Sequence, residues 1–308
     1  MMTKRIALIG SGLIGCGWAV VFSRAGWDVA FHDIKPGRAE QAAEDTKASL
    51  ANLEACGFLE SAKDCAKHLI PVDSLDTAID GATFVQENVL ETPEEKLAVF
   101  QELDSKVRGN VILGSSASTI PASEFTQDLE GRERCIIVHP CNPPYLVPLV
   151  EIVPAPWTAG STIQYCMDLM TEVKLVPILL QKEMYGFVLN RLQVALVNEA
   201  MHLVGEGVAS PEDVEKTLKN GLGLRWSFMG PFQTMDLAAP TGFKEYATKF
   251  GHSYRNMGKE LGVAKEWSMD AINQVDQFLR ADVPLDKLAE RGQWRDRKLM
   301  KLVSDSDS

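Results

Sequence analysis

The chain has 308 residues, 45% of them hydrophobic and 24% charged, with a formal net charge of −11. Length predicts about two domains at roughly 150 residues each. The acidic balance excludes a phosphate-tracking nucleic-acid binder or an anionic membrane surface as partner, and no apolar run approaches the roughly 20 residues that span a bilayer.

The first strand, RIALIG over residues 5–10, starts close to Met1, so no signal peptide is expected. The six cysteines (16, 56, 65, 135, 141 and 166) form no CxxC pair and read as reduced thiols of a cytoplasmic protein. No zinc site is expected at Cys135 and Cys141, which lack two further ligands at suitable spacing.

GSGLIG, residues 10–15, follows this strand directly and opens the helical stretch LIGCGWAVVFSRAG. Gly10 allows a tight turn, Gly12 lets backbone approach a pyrophosphate, and Gly15 permits close helix–sheet packing. The helix N-terminus adds unpaired N–H groups for phosphate. The next strand, DVAFHD (28–33), ends on Asp33, whose carboxylate can accept both ribose hydroxyls of an adenosine and repels a 2′-phosphate. A glycine-rich turn with a solvated aspartate is the bland alternative; strand, helix and acid together predict a dinucleotide site that prefers NAD to NADP.

Residues 36–70 are too long for one crossover helix and predict an inserted helix pair. Strand-like pieces follow at TFVQEN (83–88), NVILGSS (110–116), RCIIVHP (134–140), LVPLVEIV (146–153) and KLVPILLQKE (174–183), with the helical stretch PEEKLAVFQELDSKV after the first of them. This alternation predicts an α/β fold, an N-terminal Rossmann domain with a doubly wound, mostly parallel sheet. From Tyr185 the chain is helical, with apolar residues at 188, 192, 196, 200 and 203 on one face, and with Ser210 and Pro211 as N-cap and first helical residue of the next helix. The expected division is an NAD-binding domain over 1–184 carrying most catalytic residues, and an all-α C-terminal substrate and dimerisation domain over 185–308. The terminal SDSDS is expected to be disordered.

Two residues do not suit buried strands: His139 closes RCIIVHP, and Glu151 sits inside LVPLVEIV. An unpaired buried carboxylate takes up a proton or finds a partner. The bland reading is a satisfied core histidine and a tolerated strand-end glutamate. The chemical reading is that His139 accepts a proton while hydride leaves an alcohol carbon for a nicotinamide. Glu151 would then hold the other ring nitrogen in one tautomer, which requires the two strands to lie side by side.

GSGLIG, ENVLETPEEK, GSSAST, HPCNPP, VEIV, GFVLNR and MGPF occur in the order typical of the L-3-hydroxyacyl-CoA dehydrogenase family, and the chain resembles that family over nearly its whole length. Within it, HPCNPPYLVPLVEIVP, GLGLRWSFMGPFQTMDL and GQWRDRKL resemble the branch of lambda-crystallin and L-gulonate 3-dehydrogenase. The resemblance implies a helical C-terminal dimerisation domain, hence a homodimer, and NAD-linked oxidation of a secondary 3-hydroxyl. It implies that His139 is the catalytic base, Glu151 its partner, Ser118 the contact to the substrate hydroxyl and Asn190 the residue that completes the site. It sets Asn142 against the nicotinamide, Glu91 and Lys96 near the nicotinamide ribose, and Leu13, Ile14 and Asp33 along the adenosine. From the residues alone, Ser118 is one of four hydroxyl residues between 115 and 119 that read as turn formers. Asn190 reads equally as a helix-start residue, and Glu91 and Lys96 as an exposed helix-entry pair.

The family's common HFFNP is HPCNP here, and its short loop before MGPF is lengthened to bring in Arg225, either a surface charge or a clamp for a substrate carboxylate. The leading expectation is an NAD-dependent 3-hydroxy-acid dehydrogenase for a small free acid, L-gulonate first. The alternatives are a short-chain L-3-hydroxyacyl-CoA dehydrogenase, an L-carnitine 3-dehydrogenase, and a non-catalytic NAD-binding protein of crystallin type.

Overall fold

The computed structural model describes residues 4–262 and 265–306. The first part alternates strands and helices: β1 (Arg5–Ile9), α1 (Leu13–Arg24), β2 (Asp28–His32), α2 (Arg38–Ala55), α3 (Ala62–Ala66), β3 (Leu69–Pro71), α4 (Leu75–Ile79), β4 (Phe84–Glu87), α5 (Pro93–Lys106), β5 (Ile112–Ser115), α6 (Ser123–Thr126) and β6 (Cys135–Pro140). β7 (Leu149–Pro154), α7 (Gly160–Glu172), β8 (Val176–Leu179) and α8 (Leu189–Gly205) follow. The remainder is helical: α9 (Pro211–Thr217), α10 (Gly223–Trp226), α11 (Pro231–Asp236), α12 (Phe243–Met257), α13 (Met269–Asp282) and α14 (Leu288–Ser306).

The eight strands form one sheet in the order β3-β2-β1-β4-β5-β6-β7-β8. Every neighbouring pair is parallel except β6 and β7, which run antiparallel with His139 directly opposite Glu151. Order reverses at β1, so the loops after β1 and β4 diverge to opposite sides and open the crevice where doubly wound sheets take ligands. Successive residues of β1 feed two cores: Ile6 and Leu8 face Trp18, Phe22 and Met170, whereas Ala7 and Ile9 face Phe100, Leu113 and Phe125. Both faces are buried, which explains runs such as IALI that lack polar alternation.

Residues up to Asn190 and from Gln293 onward pack as one compact unit, and Arg191–Gly292 as a second. From Gln293 onward α14 therefore belongs with the sheet: Met300 enters its core, and Tyr145 donates to Asp296 at 3.5 Å. Two helices, α2 and α3, fill residues 38–66 as the sequence indicates, but the short β3 then adds an edge strand. Its three residues are too few for a period-2 pattern to be read. The tail expected to be disordered continues α14 through Ser306, with residues 307 and 308 outside the described part.

Candidate active site

The carboxyl ends of five parallel strands, β1, β2, β4, β5 and β6, carry Gly10, Asp33, Glu91, Ser118 and His139 to one edge of the sheet. Gly10 follows β1 with φ +92°, and a Cβ there would lie 2.7 Å from the Asn88 carbonyl. A Cβ on Gly15 would lie 2.4 Å from the Gly10 oxygen, so both positions need glycine for the loop itself. Gly12 differs: a Cβ would meet nothing within 4 Å, and no side chain caps α1 behind it. The exposed loop and the N–H groups of an uncapped helix leave room and charge for a phosphate group from outside the chain. Leu13 beside it is 72% exposed, with Ile14 partly buried against the core.

Asp33 is fixed by this loop. Its Oδ2 accepts from the Ser11 N–H at 2.8 Å and Oδ1 from the Lys35 N–H at 3.0 Å. The carboxylate is thus oriented before any ligand arrives, at the end of β2 where an adenosine ribose belongs. These residues fit NAD.

His139, the penultimate residue of β6, is 6% exposed and Glu151 is fully buried. His139 Nδ1 lies 2.8 Å from Glu151 Oε2, and Nε2 has no hydrogen-bond partner among the described residues. Glu151 Oε1 accepts from the Val188 and Leu189 N–H groups at 2.8 and 3.0 Å. Both donors sit at the start of the 17-residue α8, so its dipole also favours the negative charge. Gly186 (φ 75°) and Phe187 (φ 48°) turn the chain left-handed to aim them, and the Phe187 ring lies 5.6 Å from the imidazole. Burial alone would raise the Glu151 carboxyl, but hydrogen bonds from His139, Leu189 and Val188 outweigh it and hold the group below the usual carboxylate range. An ionised Glu151 keeps the proton on Nδ1 and leaves the Nε2 lone pair open.

The sign of the Glu151 shift fixes a pH dependence. With a folded value below the unfolded one, it contributes stability that is fully present above about pH 4.3 and is lost as pH falls through the folded value. The thermal midpoint should therefore drop on acidification below about pH 4.3, and less steeply in Glu151→Gln. Parallel acid slopes in the two proteins would contradict this.

The hydroxyl cluster in GSSAST is more than a turn. Ser115 Oγ donates to Glu87 at 2.5 Å, Ser116 Oγ to Asn88 at 2.8 Å, and Ser118 Oγ to Glu91 Oε2 at 2.6 Å. Glu91 Oε1 also accepts from the Ser118 and Thr119 N–H groups at 2.8 and 2.7 Å. Asn190 Nδ2 donates to the Ser118 carbonyl at 2.8 Å, and the Gly186 N–H to Thr119 at 3.0 Å. Ser118, Glu91, Asn190 and the α8 start thus form one bonded assembly beside Glu151.

Lys96 stands differently from Glu91. Its Nζ reaches both oxygens of Glu87 at 3.0 Å, and the two side chains are 1% and 0% exposed. It serves the end of β4 from below, and Glu87 in turn accepts from the Val89 N–H at 2.6 Å. Asn142 is exposed in the β6–β7 turn, two residues past β6. Arg225 is exposed on α10, in the second compact unit. Burial pushes the Cys135 thiol up to about 12 and also raises Cys141, so the cysteines flanking His139 stay protonated at neutral pH.

Sequence reasoning missed Glu87, Thr119, Phe187 and the Val188 and Leu189 N–H groups. Glu87 carried the same signal as Glu151, a carboxylate within an apolar strand. The two N–H donors carried none, because every residue but proline has one.

An edge so built is that of an NAD-linked oxidoreductase. The chain belongs to the 3-hydroxyacyl-CoA dehydrogenase family: the model of its NAD binding domain matches residues 5–184, and that of its C-terminal domain residues 186–277. The lambda-crystallin homolog of Rattus norvegicus is 39% identical over 302 residues, covering 96% of this chain and 94% of that protein. An L-carnitine dehydrogenase of Oceanobacillus iheyensis is 38% identical, covering 97% of each. Among solved structures, the NAD⁺-dependent dismutase 5-formyl-3-hydroxy-2-methylpyridine 4-carboxylic acid 5-dehydrogenase superposes with a TM-score of 0.83 at 27% identity, covering 98% of this chain and 97% of that one. NAD is the cofactor.

Proposed function

We propose that this protein oxidises the 3-hydroxyl of a small free hydroxy acid to the 3-keto acid, with L-gulonate the first candidate. The observation that carries the reading is the buried His139–Glu151 pair, whose Nε2 is open at the edge that holds the glycine loop. Bound NAD supplies the hydride acceptor. The substrate hydroxyl gives its proton to Nε2 of His139 as its carbon loses hydride, and Glu151 stabilises the imidazolium that forms. Ser118 and Asn190 orient the hydroxyl. Asn142 and Glu91 border the nicotinamide side, with Lys96 supporting that wall through Glu87, while Leu13, Ile14 and Asp33 border the adenosine.

A free acid is favoured over an acyl-CoA by charge. Residues 36–70 carry four cationic against six acidic side chains, and Arg38, Lys47 and Lys67 are already paired with Asp45, Glu44 and Asp64. That segment has no net attraction for a polyanion such as CoA. Arg225 supplies a fork suited to one carboxylate.

NADH absorbance with L-gulonate, L-carnitine, L-3-hydroxybutyrate and L-3-hydroxybutyryl-CoA tests this. L-gulonate should give the highest kcat/KM, and Arg225→Met should raise its KM by about tenfold or more without changing NAD affinity. A CoA thioester turned over better than every free acid would overturn the substrate, and no turnover of any would favour the crystallin-like alternative.

The same reading includes a C2 homodimer formed through the helical part. Phe228 and Phe232, each 73% exposed, and Leu237 at 74% are apolar surface that a monomer would leave in water. Sedimentation of a micromolar solution should give a dimer; a monomer there would refute it.

A further inference from the structure

Gly17 lies inside α1, two residues past the dinucleotide fingerprint, where glycine is disfavoured relative to alanine. Its space explains it. A Cβ at 17 would lie 2.6 Å from Cδ and 3.0 Å from Cγ of Pro144, a buried ring that cannot swing aside as a long side chain can. The helix backbone is thus the seat of the β6–β7 turn. A second tie joins them, Arg24 Nη1 donating to the Tyr145 carbonyl at 3.3 Å. The turn is internally braced: Leu146 and Val147 N–H both donate to the Pro143 carbonyl at 3.0 Å, and Cys141 N–H to Leu149 at 3.1 Å. A displacement at Pro144 therefore moves Asn142, and the strand ends bearing His139 and Glu151, as a body.

We propose that Gly17 is a positioning residue: by seating Pro144 on α1, it fixes the turn between the base and its carboxylate to the helix whose N-terminus receives the cofactor. The inference rests on the proposed reaction. It gives Gly17 a different task from Gly15, whose missing Cβ serves the phosphate loop itself. Misplacing a reacting group by about 1 Å can cost about 10²-fold in rate, so the effect belongs in kcat and not in cofactor affinity.

The test compares Gly17→Ala, Pro144→Ala and the double variant in the full chain, by NADH fluorescence titration and by kcat with the best substrate. Gly17→Ala should lose about tenfold or more in kcat with NADH affinity within about threefold of wild type, and Pro144→Ala in the same background should restore kcat to about the level of Pro144→Ala alone. Wild-type-like kcat in Gly17→Ala, a double variant no better than the single, or a loss confined to NADH affinity would overturn the proposal. Should Gly17→Ala fail to fold, Pro144→Ala alone decides: a lower kcat at unchanged NADH affinity supports it, and unchanged kcat overturns it. A wild type that binds NADH but turns over no substrate refutes the reaction alone. The coupling is then read in the emission of bound NADH, altered by Gly17→Ala and restored in the double variant if the proposal holds, and unaltered if it does not.

Discussion

His139→Gln is expected to lower kcat by at least about 10²-fold while leaving NADH affinity within about twofold. Glutamine can still donate to Glu151 Oε2 across the 2.8 Å that His139 Nδ1 now spans, so strand pairing and the buried carboxylate keep a partner. What is lost is a ring nitrogen that can accept the substrate's proton. The fold should survive because the remaining Glu151 bonds, from the Val188 and Leu189 N–H groups, come from backbone. Glu151→Gln should cost less, about tenfold, since it removes orientation and charge support but leaves the base in place. The pair of variants discriminates between roles. Turnover near wild type in His139→Gln would remove it as the base, and equal losses in both would mean that the imidazole and carboxylate work only as one unit.

The strands of the candidate site were legible because they carry residues that packing alone would not choose. A histidine and a glutamate in apolar runs predicted a pairing, and the antiparallel register supplies it, His139 opposite Glu151. The dinucleotide loop was legible for a related reason: Gly10 and Gly15 are required by backbone contacts under 3 Å, and such requirements write themselves as glycine. Other parts left no mark of this kind. The carboxylate anchors at Val188 and Leu189 are backbone groups, identical in any sequence. The hydroxyls of residues 115–119 looked like turn formers because their acceptors, Glu87, Asn88 and Glu91, lie 27 or 28 residues away on a neighbouring strand end, and only sheet order joins them. Glu91 and Lys96 share one motif but serve different partners, a separation set by α5 starting at Pro93 and turning Lys96 into the core.

NAD should exceed NADP by at least about 10²-fold in kcat/KM, since like charges brought together cost several kcal/mol and each 1.4 kcal/mol is about tenfold. The reason is local and rigid. Asp33 cannot swing away from a 2′-phosphate without breaking its bonds from Ser11 and Lys35 N–H, and the first of these also shapes the glycine loop. The nearest cation in sequence with a guanidinium, Arg38, is paired with Asp45 at 3.2 Å and so is drawn toward α2, not toward the ribose. No guanidinium fork is therefore offered to a 2′-phosphate beside Asp33. Asp33→Ser removes the charge but also the acceptor for the Ser11 N–H, so it should weaken NAD more than it helps NADP. Adding an arginine at Ile34, which is 88% exposed, should then narrow the gap by supplying the missing countercharge. Comparable kcat/KM for the two cofactors in the wild type would mean that the 2′ position does not meet Asp33, and the adenosine would have to lie elsewhere along the edge.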